Sequence, residues 1–82
     1  MKISGEKGRA NSCGVRIHEK RLELGYSQND LAIRLQLIGL NVTQKTISRI
    51  ETGDRIVPDY ELPYFARVLN VSVEYLLGLT SE

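Results

Sequence analysis

Thr43-Gln44-Lys45-Thr46-Ile47-Ser48-Arg49-Ile50-Glu51-Thr52-Gly53 reads as a short helix with a cap, a stop and two unlike faces. The Thr43 hydroxyl can accept from the free N–H groups of the first turn. Val42 and Ile47 stand at the two positions of a hydrophobic staple. Gly53 supplies the left-handed residue on which helices end. Ile47 and Ile50 share one face. Lys45, Ser48, Arg49 and Thr52 sit at i, i+3, i+4 and i+7 on another. That second face carries cations and short hydroxyls but no carboxylate and no large apolar group. It suits a groove of nucleic acid, and it equally suits water.

Working outward, Ser27 opens the preceding helix, with Asp30 three residues on as a capping box and Tyr26 and Leu31 as a staple. Leu31, Leu35 and Ile38 form its apolar stripe, with Ala32 beside it. Gly39 stops it and Leu40 can fold back as the closing contact. Two short helices joined by a glycine-containing turn, the second with a polar outer face, make a helix-turn-helix pattern. The free N–H groups at Ser27-Gln28 could hold a phosphate. A first helix spans about Cys13 to Leu24, with Ile17, Arg21 and Leu24 at core-facing spacing. Arg21 is a cation inside an apolar stripe, and a buried cation needs a carboxylate. Glu51, four residues from Ile47, is the expected partner; the other reading has Arg21 snorkel to water along its alkyl stem.

After the loop Asp54 to Pro58 comes a fourth helix, started either by Asp59 or by Leu62 with Pro63 behind it. Leu62, Phe65, Ala66 and Leu69 face the core, and Asn70 closes the helix. Ser72 caps a fifth helix, Val73 to Leu77, with Val71 and Leu76 as staple and Gly78 as stop. Residues 1–12, with Lys2, Lys7 and Arg9 and almost nothing apolar, read as a flexible arm, either trailing over phosphates or simply disordered.

The totals set bounds. At 82 residues, one marginally stable domain is expected, here residues 13–82. The single cysteine allows no internal disulfide. No apolar run approaches a membrane span and the N-terminus lacks a secretory pattern, so a cytoplasmic protein is expected. Residues 1–55 hold ten Lys/Arg against six Asp/Glu, a balance of +4, and residues 56–82 hold one against four, a balance of −3; together they give the net +1. A basic front attracts phosphate even when the total is near zero. Cys13 and His18 sit five apart with no third group to orient them, so an enzyme is not expected. No metal-ligand spacing or phosphate loop is present, and no cofactor is expected.

Arg21, Gly25-Tyr26-Ser27-Gln28, Leu31-Ala32 and the run Val42 to Gly53 resemble the phage Cro/repressor (Xre-type) helix-turn-helix family. So does the tail Ala66-Arg67-Val68-Leu69-Asn70-Val71-Ser72-Val73. The resemblance covers about residues 14–78. It implies an all-α, compact five-helix repressor-like DNA-binding domain whose third helix enters the major groove of double-stranded DNA. Base-reading positions carried over are Gln44, Lys45, Ser48 and Arg49. Gln28 matches a position used on a phosphate or in support of the reading helix. Thr43, Thr46 and Arg55 match backbone-contact positions, and Arg21–Glu51 matches a pairing known in some members. The span from Gln28 to Ile47 is about five residues longer than the common pattern, with the excess near Gln36 to Leu40. The second helix and its turn are therefore expected to be longer than usual, with Leu37 and Leu40 as extra contact surface. The expected function is a transcriptional repressor acting by operator occupancy as a homodimer on a two-fold site. Its dimer surface would lie in residues 56–82, through Tyr60, Tyr64, Tyr75 and Leu79. The other reading is an antitoxin or adaptor that binds a regulatory protein partner, with DNA binding secondary or lost.

Overall fold

In the computed structural model, residues 13–80 are described. The predicted arm at 1–12 lies outside them. Five α-helices follow one another: α1 (Cys13–Glu23), α2 (Gln28–Leu37), α3 (Gln44–Thr52), α4 (Leu62–Leu69) and α5 (Val73–Leu76). A 3-10 turn at Asp59–Glu61 leads into α4, and no strand occurs among the described residues. No helix is long and apolar enough to cross a membrane among these residues.

α3 packs against both α1 and α2, while α4 closes the other side against α1, α2 and α5. Ile17, Leu31, Leu35, Ile47, Ile50, Phe65, Leu69 and Leu76 are fully buried where these helices meet. Each such side chain contributes about 1.5–3 kcal/mol of transfer free energy. α3 is thus bolted into the core by Ile47 and Ile50, which leaves the opposite side of its short barrel outward.

The caps follow the sequence closely. Ser27 accepts from the Asp30 N–H while the Asp30 carboxylate accepts from the Ser27 N–H. Thr43 and Thr46 repeat the reciprocal arrangement at α3. All five helices end in one way: the chain turns through a left-handed residue (Gly25, Gly39, Gly53, Asn70 or Gly78). Two backbone bonds close each turn, such as Leu40 N–H to Leu35 C=O at 2.9 Å and Gly39 N–H to Gln36 C=O at 3.1 Å. This is the Schellman motif, in which the last free carbonyls of a helix find donors.

Several expectations are corrected. Leu24 is exposed, because α1 stops at Glu23 and the stripe runs out of helix before it reaches Leu24. Ile38 is half-buried, since it is the C-cap of α2 and no longer lies on the helical stripe. Neither Asp59 nor Leu62 caps α4: Glu61 holds that position, Leu62 follows and Pro63 is the second helical residue. Proline is tolerated there because first-turn N–H groups have no partner within the helix. α5 ends at Leu76, a residue before the expected end. Leu40 is buried, so of the two expected contact residues at the corner only Leu37 faces solvent. Tyr75 is also buried and cannot belong to an exposed patch, because Arg16 and Lys20 of α1 lie over its ring, each 5.3 Å from the centroid.

The long connection is ordered by one side chain. Gln36 Nε2 donates to the Val42 carbonyl at 2.6 Å and ties the end of α2 to the approach to α3. The corner thus comprises residues 38–43.

Candidate nucleic-acid interface

α3 and the N-terminal end of α2 share one side of the molecule through a chain of polar side chains centred on Glu51. Arg21 Nε donates to Glu51 Oε2 at 2.7 Å, and its Nη2 donates to Oε1 at 2.9 Å. Arg21 Nη1 donates to the Tyr26 carbonyl at 2.8 Å, between α1 and α2. The expected Arg21–Glu51 pair therefore exists, and both side chains are buried. A bidentate arginine–carboxylate fork fixes orientation as well as charge. Burial pushes the Glu51 carboxyl upward, but hydrogen bonds from Arg21, His18 and Gln28, with the Arg21 charge, outweigh it and hold its pKa below the ordinary value.

Two partners of Glu51 escaped the sequence reading. His18 Nδ1 lies 2.8 Å from Glu51 Oε1, from the turn of α1 preceding Arg21. Gln28 Nε2 donates to the same oxygen at 3.1 Å. Gln28 in turn accepts at its Oε1 from Gln44 Nε2 at 2.6 Å. The first side chain of α3 is therefore held by the first residue of α2, which rests on Glu51. The Gln28 side chain thus links Glu51 to the start of α3.

Gln44, Lys45 and Arg49 are exposed and Ser48 is half-buried, all on α3 away from Ile47 and Ile50. No ion pair involves Lys45 or Arg49 among the described residues. The fourth member of that face, Thr52, turns back to donate to the Arg49 carbonyl at 3.1 Å and serves the helix end. Around the face stand Ser27 and Thr43 as the two N-caps, with Thr46 in the Thr43 box. The boxes use the N–H groups of Asp30 and Thr46, so the first-turn N–H groups of Gln28, Asn29, Gln44 and Lys45 lie beyond them at positively polarised helix ends.

A helix-turn-helix family model matches residues 17–76. The chain belongs to that family, in its Xre/Cro-like form. Its helix-turn-helix is α2, the corner and α3, and it is a DNA-binding regulator of the Xre type. In this helix-turn-helix the arginines divide by employment. Arg21 is clamped beneath the motif, whereas Arg49 stands on its outer face. Arg55, which the resemblance put at a backbone-contact position, is also clamped: its Nη1 and Nη2 donate to Glu61 Oε1 and Oε2, both at 3.0 Å. Glu61 is 3% exposed. The pair ties the loop after the helix-turn-helix to the start of α4. No spacing rule points to this pair, because Glu61 comes near Arg55 through the 3-10 turn.

Cys13 and His18 have different surroundings. The Cys13 thiol is buried, and burial pushes its pKa up to about 11. A thiol is a nucleophile only as thiolate. His18 is spent on Glu51.

Proposed function

We propose that this chain is a sequence-specific transcriptional repressor that occupies an operator by inserting α3 in the major groove, as a homodimer on a two-fold site. The observation that carries the reading is the outer face of α3, where Lys45 and Arg49 are exposed and in no ion pair among the described residues and Gln44 is pre-oriented at the leading edge. Gln44 gives one amide hydrogen to Gln28. Its carbonyl oxygen and second amide hydrogen are left for a base edge, the acceptor–donor pair that matches adenine N6 and N7. Lys45 and Arg49 supply donors of the kind that recognise guanine O6 and N7, and the Ser48 hydroxyl serves either base. Phosphate contacts are assigned to Ser27, Gln28, Thr43, Thr46 and Arg55. The helix N-termini contribute backbone N–H donors at Gln28 and Gln44. For Arg55 to reach a phosphate it must share its guanidinium with Glu61.

One short helix reads only a few base pairs, so a dimer is required, with half-sites about 34 Å apart or a multiple of that. The acidic segment 56–82 supplies its surface. Tyr60 and Leu79 are exposed in that segment, 65% and 71%, as is Ile56, while Tyr64 is half-buried. Repression then needs no catalytic step, since a bound dimer excludes polymerase, and the site of action is the cytoplasm, where the DNA is. The test is selection of bound duplexes from a random DNA pool, repeated across salt. An enriched palindrome supports sequence-specific dimeric binding. A salt slope with no enriched sequence reduces the protein to a backbone binder and removes the operator reading.

A further inference from the structure

We infer that the cleft between the C-terminal end of α2 and α4 is a docking site for an acidic, apolar segment of a partner protein. The cleft holds about 290 Å³ and is lined by Tyr26, Arg34, Leu37, Ile38, Arg67 and Val68. That is at the lower edge of the roughly 300–1,000 Å³ typical of small-molecule pockets. It suits one or two side chains of a larger surface better than a metabolite.

Its lining joins Leu37, Ile38 and Val68 with the Tyr26 ring and two arginines, Arg34 and Arg67. Leu37 is 80% exposed, the most exposed large apolar side chain among the described residues. Ile33, one turn earlier on α2, is 45% exposed and extends the apolar strip. The Arg34 guanidinium lies 4.2 Å from the centroid of the Tyr26 ring, which holds that cation in place. Arg67 of α4 is exposed on the facing side, and no ion pair involves it among the described residues. No carboxylate lines the cleft. Two cations beside apolar side chains complement Asp or Glu flanking Leu, Ile or Phe, and they repel residues 1–12, which carry Lys2, Lys7 and Arg9 against Glu6.

The cleft runs from Tyr26, next to the Ser27-Gln28 end of α2, to Leu37 and Ile38 at the other end. A ten-residue helix sets Leu37 about 15 Å from the Ser27-Gln28 end, so the apolar part of the segment docks away from it. The inference does not rest on the operator reading, and titration with a duplex separates the two occupants.

The test begins with display selection of random peptides on the full-length chain. The enriched peptide, labelled with a fluorophore, is titrated by anisotropy against the wild type, Leu37→Ser and Arg67→Glu. Each variant is also melted thermally and titrated with a random-sequence DNA duplex. The expected result is a peptide combining Asp/Glu with Leu, Ile or Phe, with affinity reduced about tenfold by either substitution. Melting and duplex binding stay unchanged, and an Asp/Glu-to-Lys change in the peptide restores affinity for Arg67→Glu. The inference is overturned if no acidic apolar peptide is enriched, or if both variants bind it as the wild type does. It is equally overturned if Leu37→Ser abolishes self-association, which makes the occupant a second copy, or if the variants lose duplex binding, which makes the cleft part of the DNA surface.

Discussion

Glu51 is one carboxylate holding three side chains from two other helices. Arg21 beneath it is buried, so Glu51→Gln leaves that cation without a counter-charge and should cost about 3 kcal/mol, read as a lowered urea midpoint. The pH dependence has a definite sign. The Glu51 pKa is depressed in the folded chain below its ordinary 4.5. Its contribution is therefore complete above that value and is lost as pH falls through the folded pKa. Wild-type stability should drop over that acid range by more than that of Glu51→Gln; parallel pH profiles for the two proteins would disprove the assignment. Arg49 and Arg55 should part company. Arg49→Ala should relax one position of the selected DNA sequence by roughly 1–3 kcal/mol with the fold unchanged. Arg55→Ala should lower stability by about 1–3 kcal/mol, because Glu61 stays buried without its cation, and should weaken every duplex alike. A changed consensus on Arg55→Ala would reassign it to a base. The Arg21–Glu51 pair was legible because a cation in an apolar stripe demands a carboxylate, and Glu51 was near the right face. His18 and the Arg55–Glu61 pair were not, because each depends on how two elements approach, which periodicity within one element does not encode.

Among the elements, caps and stops were the most readable features, since each is local chemistry at fixed offsets. Ser27 with Asp30, Thr43, Ser72, Gly39, Gly53 and Asn70 all serve as their residue types suggest. Burial at helix margins was the least readable. Leu24 and Ile38 fit their stripes, but their helices end first. Tyr75 sits where a surface residue would, yet long cationic side chains from α1 cover it. The corner yields a clean prediction at Gly39, whose φ is +105°. A Cβ there would meet only Tyr64 Cε1, at an unstrained 3.9 Å. Gly39→Ala should therefore lose about 1–2 kcal/mol through backbone strain alone. A melting temperature equal to that of the wild type would show that the corner relaxes instead of straining.

Across the whole molecule, charge and topology divide the work. The basic first 55 residues carry α1 to α3, and the acidic remainder carries α4 and α5 beneath them. An acidic back does not compete for phosphate and leaves Tyr60 and Leu79 available to a second copy. Sedimentation should show concentration-dependent self-association that Tyr60→Ser weakens; a monomer at high concentration, both alone and on DNA, would remove the dimer. The seat of Cys13 in the core, where α1 meets the rest, has a separate use. A thiol reagent can reach that buried sulfur only when the start of α1 opens, so the ratio of its labelling rate to that of the unfolded chain reports the free energy of opening. A chain with a single thiol needs no engineered probe. Labelling should be far slower than for the urea-unfolded chain, and slower still when DNA is bound, since any ligand of the folded form deepens its protection.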